Sequence, residues 1–486
     1  MLFRSHEIGF SDGVLLVIGL VAPAEAAEAL DGAAMSSLWA LPFTGILLSI
    51  ALGPLLFHQW WHPHYGKAAL FWAALAVIPM FVSIGGKATA EALFHTLALE
   101  YLPFILMLFA LFTTAGGLVL RGTLHGSPAT NTAILAGGSF LASLIGTTGA
   151  AMLLIRPLLR ANDDRRHNAH VFVFFIFTVA NIGGALTPLG DPPLFLGFLR
   201  GVDFFWPTRN LAQETAFLLA ILLALFFLID TYFYRREGVV KPDPTPDAPL
   251  RMTGLVNMAL LAIAVGAIVM SGVWKPGLGL TILGTRLELQ NLLREATMVA
   301  VGLLSLALSD KQARRDNGFS WEPIIEVAKL FAAIFICIIP VMAMLGAGSR
   351  GAFAPLLSLV ARPDGAPNEI AYFWLTGLLS AFLDNAPTYL VFFELAGGDP
   401  TRLTGPLAST LAAISMGAVF MGAMTYIGNA PNFMVYAIAR DAGVRMPGFF
   451  GYVLWSGAIL LPLFIDRKST RLNSSHIPLS RMPSSA

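Results

Sequence analysis

The sequence predicts an all-α polytopic membrane protein organised as an inverted repeat, with two re-entrant hairpins and two broken helices. Three observations carry this expectation. Hydrophobic residues fill 56% of the 486 positions and charged residues only 12%, with a mean hydropathy of +0.72, which leaves too little polar surface for a soluble globular domain. Apolar runs long enough to cross a hydrocarbon core, about 20 residues as a helix, recur from one end of the chain to the other. Four of these runs are interrupted near their middles by Gly, Pro and polar residues, and the interruptions recur at one fixed spacing. Helices rather than a barrel follow from Leu, Ala, Phe, Ile and Gly at helical lengths without period-2 alternation.

Residues 1–26 read as a secretory signal or a first membrane helix. Arg4, the apolar stretch Val14 to Ala22 and the small residues Ala22, Ala24 and Ala26 suit cleavage, while Glu7 and the short apolar stretch suit a retained helix. Plain spans then fit at about 37–57, 68–85, 101–120, 212–234, 254–273, 295–309, 323–345 and 449–465. Residues 129–155 and 369–396 are apolar but broken, the first by Gly146, Thr147, Thr148 and Gly149, the second by Asp384, Asn385 and Pro387. Residues 169–199 and 407–438 are broken by Gly183, Gly184, Pro188, Gly190, Asp191, Pro192 and Pro193, and by Gly422, Gly428 and Pro431. Three His lie between Phe57 and Lys67 near Trp60, Trp61 and Tyr65; an aromatic belt at the membrane surface explains the two Trp and the Tyr, and no Cys or carboxylate in the stretch completes a metal-ligand set. Glu326 and Lys329, three apart, suggest a local ion pair, and the lone Cys337 suggests packing.

The breaks repeat in register. GALTPLGDPP from Gly184 to Pro193 and GAMTYIGNAP from Gly422 to Pro431 share Gly, Ala, Thr, Gly and Pro, with Asp191 opposite Asn429, at an offset of 238 (422 − 184). The same offset carries Gly146-Thr147-Thr148-Gly149 onto Asp384-Asn385-Ala386-Pro387. Two halves, each with a broken hairpin-like segment followed by a broken helix, are the sequence pointer to a binding site at a repeat interface. If the two hairpin-like segments cross fully, Lys and Arg divide 11 inside and 13 outside; if each is re-entrant, the division becomes 15 against 9. The positive-inside rule favours the hairpins and gives them opposite orientations. The chain then divides into a first transmembrane repeat over 37–234, a cytoplasmic linker over 235–252 and a second repeat over 253–465. Residues 466–486, DRKSTRLNSSHIPLSRMPSSA, depart from the pattern, resemble translated sequencing-adapter read-through and are expected to be a non-native tail that cuts the last helix short.

Ionisable groups inside membrane segments are costly and usually face a cavity. Asp384 and Asp191 sit at the breaks, and unwound backbone there frees carbonyls that Thr and Asn side chains supplement. Asp384, Asn385, Thr388, Thr187, Asp191, Thr425 and Asn429 can form an oxygen cage for a desolvated hard cation, with Asp384 and Asp191 as sodium ligands. The other ends of the broken helices present N–H groups and positive dipole to an anion such as a carboxylate. The two Asp would repel such an anion, whereas a buried carboxylate can hold a proton or a sodium ion in competition, which suffices for antiport. Thr147 and Thr148 serve equally as helix-packing hydroxyls, and Asp191 as a cap.

At these motifs the chain resembles the ion transporter superfamily, most closely the citrate-transport group whose members are often described as sodium:proton antiporters, akin to NhaD-type antiporters and arsenite permeases. The resemblance rests on NIGGALTPLGDPP from Asn181 to Pro193, SAFLDNAPTYLVFFELAGGD from Ser380 to Asp399 and TYIGNAPN from Thr425 to Asn432, and runs from about residue 37 to 465. Asn181, Thr147 and Thr148 join Asp191 and the second tip as candidate ion- or substrate-binding residues, and the resemblance implies a transport domain that moves against a scaffold, usually within a homodimer. The superfamily's dicarboxylate symporters carry Ser-Asn-Thr at both hairpin tips, and neither tip here matches. The sequence therefore predicts a multi-pass transporter of a bacterial inner membrane, without an organic cofactor, most simply a sodium:proton antiporter with sodium ion and proton as coupling ions. The alternative is a sodium-coupled citrate or dicarboxylate transporter. A net charge of +1 disfavours nucleic acid as a partner. An intramembrane enzyme finds no H-E-x-x-H pair and no His at the breaks themselves to act as base.

Overall fold

The computed structural model describes residues 30–237 and 248–471; the expectations for residues 1–26, for most of the linker and for the tail beyond Arg471 fall outside them. In the first half, a 3₁₀ turn leads into α1 (Leu41–Leu56). α2 (His58–Thr96) is broken at Gly85 and continues through one π-helical turn, Leu97–Tyr101, into α3 (Leu102–Gly116). Strand β1 (Val119–Arg121) precedes α4 (Pro128–Ile145) and α5 (Thr147–Ala161), which only Gly146 separates. α6 (Ala169–Thr178), a 3₁₀ turn at Ile182–Leu186 and α7 (Pro192–Leu199) follow, then α8 (Trp206–Glu237).

The second half opens with β2 (Arg251–Thr253), which pairs antiparallel with β1, and α9 (Val256–Val273). The hairpin β3 (Gly279–Ile282) and β4 (Thr285–Glu288) leads to α10 (Leu289–Leu308), α11 (Lys311–Asp316) and α12 (Glu322–Gly346). After α13 (Ala354–Val360), α14 (Glu369–Phe382) and α15 (Asn385–Leu395) are parted by Leu383 and Asp384. α16 (Pro400–Thr404), α17 (Ala408–Phe420), a 3₁₀ turn at Met421–Met424, α18 (Ala430–Asp441) and α19 (Phe449–Arg471) complete the chain. α5 and α15 begin 238 positions apart, as do α7 and α18.

The protein is thus an all-α polytopic membrane protein. Among the described residues, seven helical segments are long and apolar enough to cross a membrane, from Ser37–Leu56 to Glu322–Gly346. Residues 86–100, left between two spans by the sequence reading, are helical. Thr89 donates its hydroxyl to Gly85 O at 2.9 Å and Lys87 pairs with Glu91 one turn on, so the chain re-enters helix directly after the break. Backbone helix also continues past Ile465, where the apolar run ends, to Arg471. The ion pair expected between Glu326 and Lys329 is replaced: Lys329 Nζ stands 5.3 Å over the ring of Tyr65 on α2, a cation–π contact that lets the ammonium stay near the surface. In the Phe57–Lys67 segment, Trp60 stacks on His64 and His62 pairs with Glu322 at 3.2 Å.

Two bundles emerge from the packing. α1, α2, α3, α9, α10 and α12 pack on one another as a frame, and α4 to α8 interlock with α14 to α19 as a second bundle that holds all four breaks. The bundles meet along α5 on α3, α15 on α12, and α7 on the π turn and α3. α6 is the deepest element, buried from His170 to Thr178. One end of the second bundle is tied by a buried polar knot. Asp230 on α8 accepts from Arg165 at 2.6 Å, His170 at 2.8 Å and Asn131 at 3.0 Å, and Asn131 and Asn162 exchange reciprocal amide bonds. Removing one partner of a buried ion pair strands the other charge, at a cost of about 3–5 kcal/mol. Asp230→Ala is therefore expected to lower the thermal unfolding midpoint in detergent far more than substitution of an exposed α8 residue such as Leu228, read by size-exclusion recovery after heating.

Candidate functional site

The four half-helices that follow the breaks, α5, α7, α15 and α18, point their N-termini at one carboxylate. Asp191 is the N-cap of α7 and is 1% exposed. Asn385, first residue of α15, donates Nδ2 to Asp191 Oδ2 at 2.6 Å. Thr147, first residue of α5, donates its hydroxyl to Asp191 Oδ1 at 3.3 Å, and Asn429, the N-cap of α18, donates Nδ2 to the same oxygen at 3.3 Å. The backbone closes the same contact, since Thr147 N donates to Gly190 O at 2.9 Å. These donors come from both halves of the chain, and each sits where a helix's free N–H groups concentrate positive potential.

Local sequence explains why the chain can turn so sharply here. Pro192 and Pro193, and Ala430 with Pro431, occupy the first turns of α7 and α18, where a missing N–H costs nothing and φ is preset. Gly146 takes φ 81° and ψ 153°, a region that disfavours any side chain, so one residue suffices to separate α4 from α5. At Gly190 a Cβ would stand 2.0 Å from Gly184 O, so the 3₁₀ turn and the start of α7 touch through bare backbone.

The structure separates the sequence-derived site residues by what their side chains touch. Asp191, Asn385, Thr147 and Asn429 form the cluster, and Asn181 joins it by accepting from Asn429 Nδ2 at 3.4 Å. Thr187, Thr388 and Thr425 spend their hydroxyls on backbone. Thr187 donates to Ser143 O at 2.5 Å, Thr425 donates to Ala381 O, and Thr388 donates to Asp384 O at 2.8 Å. The first two are matched braces, each tying a broken helix to the last turn of a hairpin's first arm. Thr148 lies beside the first tip, half-buried. Asp384 caps α15, accepting from Ala386 N at 3.0 Å, and keeps part of its surface exposed.

Two features matter for chemistry. The Oδ1 of Asn385 is buried with no hydrogen-bond partner, its amide orientation set by the bond that Nδ2 makes to Asp191. Among the described residues, guanidinium groups are spent elsewhere: buried Arg165 on Asp230, Arg294 on Glu295 and Arg314 on Thr113 O and Ser305, and half-buried Arg200 on Glu100 and Glu394. Asp191 therefore rests on neutral donors only, with Asp384 one residue from its Asn385 partner.

Sequence reasoning did not assign Asn432, which accepts from Asn181 Nδ2 at 2.7 Å and donates to Gly422 O and Thr425 O, locking the two broken helices together. Its signal was available, because TYIGNAPN ends on it. Ser143 and Ser380 were likewise unassigned; they hold Gly183 O at 2.5 Å and Ala418 O at 2.6 Å.

The pattern of the family described as Putative citrate transport matches residues 32–470. The chain is also similar to an uncharacterized transporter of Mycobacterium tuberculosis, 25% identical over 333 residues that cover 66% of this chain and 71% of the relative. An uncharacterized transporter of Mycobacterium bovis matches with the same identity and coverage. Since a Cβ at Gly190 meets backbone that cannot rotate away, Gly190→Ala is expected to cost at least about 1–3 kcal/mol of stability and to lower the yield of monodisperse protein, whereas Gly137→Ala, in open space on α4, leaves it unchanged.

Proposed function

This chain belongs to the Putative citrate transport family, and we propose that it is a sodium:proton antiporter of a bacterial inner membrane, with Asp191 and Asp384 as the exchanging carboxylates. The observation that carries the reading is Asp191 itself, a buried carboxylate at the meeting point of four half-helices, supported by amide and hydroxyl donors and by no guanidinium. A lone negative charge in a membrane interior needs a cation or a proton. The orphaned Asn385 Oδ1 supplies a further neutral oxygen beside it, and Asp384 a second carboxylate. Hard alkali cations prefer such oxygen donors. Proton and sodium then compete for the same oxygens, and each can leave only by exchange or together with the moving site.

The matched starts of α5 with α15 and of α7 with α18 favour reading the two halves as inverted repeats, with α4–α5 and α14–α15 as re-entrant hairpins. Alternating access by one bundle rocking against another around such a site is a general solution. A citrate or dicarboxylate symporter is the second reading, favoured by the family's description and by the N–H ends that surround Asp191. It requires sodium to screen the two Asp from an anionic substrate.

In everted vesicles energised by respiration, added sodium or lithium is expected to alkalinise the interior for the parent protein, and the response to vanish in Asp384→Asn and Asp191→Asn. Competition also fixes a sign: the half-saturating sodium concentration falls as pH rises, by up to about tenfold per pH unit where the proton holds the site. Sodium-stimulated uptake of labelled citrate without any cation-driven pH response overturns antiport and selects the symporter.

A further inference from the structure

Away from Asp191, one cluster of charged side chains joins the two bundles. Arg200 caps the C-terminal end of α7 and donates Nη2 to Glu100 Oε1 at 2.7 Å and Nη1 to Glu394 Oε2 at 3.3 Å. Glu394 lies in the last turn of α15, in the same bundle as Arg200. Glu100 belongs to the frame, on the single π-helical turn Leu97–Tyr101, and is buried. Among the described residues, Arg200–Glu100 is the ion pair that crosses from one bundle to the other.

Its position gives it leverage on the site. α7 has Asp191 at one end and Arg200 at the other, with only the eight residues of the helix between them. α15 has Asn385 at one end and Glu394 near the other, and it packs along α7. The two half-helices are tied twice, by Asn385 to Asp191 at the site and by Arg200 to Glu394 at the far end. They behave as one short rod with the site at its tip and a guanidinium at its base. The base is held by Glu100, and π turns are where helices commonly present a side chain out of register for a function. Two carboxylates share this one guanidinium. Glu100 Oε2 and Arg200 Nε are buried without further partners, so each side of the pair keeps an unused hydrogen-bonding atom for a partner in a second position.

We propose that Arg200 and Glu100 are positioning residues that form a latch between the bundles, holding the α7–α15 rod in one of its two working positions and setting how fast the site alternates. This rests on the protein being a transporter whose bundles move against each other, and not on which ion it carries. A latch between moving bodies changes the rate of interconversion, while groups that touch the ion change its affinity.

The test measures flux per folded protein in vesicles, with whichever substrate the parent carries. A parent that takes up citrate and exchanges no sodium overturns the antiport reading while leaving this test intact. Glu100→Gln is expected to change the maximal rate by at least about threefold with half-saturation held within about twofold, Glu100→Asp to restore much of the rate, and Glu394→Gln, within one bundle, to have the smaller effect. In a Cys337→Ala background, bridging Glu100→Cys with Arg200→Cys by a short bifunctional thiol reagent, followed by intact mass, should arrest flux relative to the unbridged variant. The Arg200→Cys with Glu394→Cys bridge should leave most of it. Continued flux through the Glu100–Arg200 bridge, equal arrest by both bridges, or a shift in half-saturation at unchanged maximal rate overturns the latch.

Discussion

A carboxylate buried in a membrane interior with no base beside it is the constraint on which the rest of this protein depends. Asp191 takes its support from Asn385, Thr147 and Asn429, one from each of the other three half-helices, so both hairpin tips and both broken helices must reach one point. That requirement accounts for the breaks. A continuous helix would bury its N–H groups in its own ladder, and only an interrupted one can aim a free N-terminus at a point inside the bundle. It accounts as well for the bare backbone at Gly190 against Gly184, because the chain has to double back within a few residues of the carboxylate.

Breaking helices inside a membrane frees carbonyls from their own ladders, and several at the breaks are met by a nearby hydroxyl or amide. Thr187 and Thr425 hold the hairpin carbonyls of Ser143 and Ala381, Ser143 and Ser380 hold those of Gly183 and Ala418, and Asn432 holds Gly422 and Thr425. These bonds hold the unwound segments around Asp191, where the amide oxygen of Asn385 stays buried and unpaired. The scheme also separates tasks between bundles. The frame carries long apolar helices with their own buried ties, such as Arg314 on Thr113 O and on Ser305, while the second bundle carries the four breaks that meet around Asp191. A site confined to one bundle, touching the other along α3, α12 and the π turn, can move as a unit without being taken apart.

Much of this was legible in the chain because it is encoded locally. Apolar runs announce helices, and Pro192, Pro193 and Pro431 with their neighbouring glycines announce where two of them stop. Other features were illegible for equally physical reasons. Residues 86–100 carry Lys87, Glu91 and Glu100 and read as a connection, yet neighbours on the frame and a pairing one turn away keep them helical. Lys329 stands within reach of Glu326 by spacing alone, but the ring of Tyr65 arrives from another helix. Thr187 and Thr425 have the right oxygens for a cation cage, and what withdraws their hydroxyls is a backbone 44 residues earlier in each half.

The sequence by itself determined the membrane class, the helical nature, the positions of the breaks and the matched spacing of the two halves, because hydropathy, proline and glycine act within a few residues of where they stand. It also singled out Asp191, since a charge amid apolar residues is visible without knowing its neighbours. Only the tertiary structure decided that Asp191 is the shared centre while Asp384 caps its own helix, that Asn385 turns its amide toward the one and leaves an oxygen unpaired, and that Arg200 reaches across to Glu100. Hydrogen bonds and ion pairs are selected by distances of about 3 Å between segments far apart in the chain, and no periodicity along the sequence carries that information.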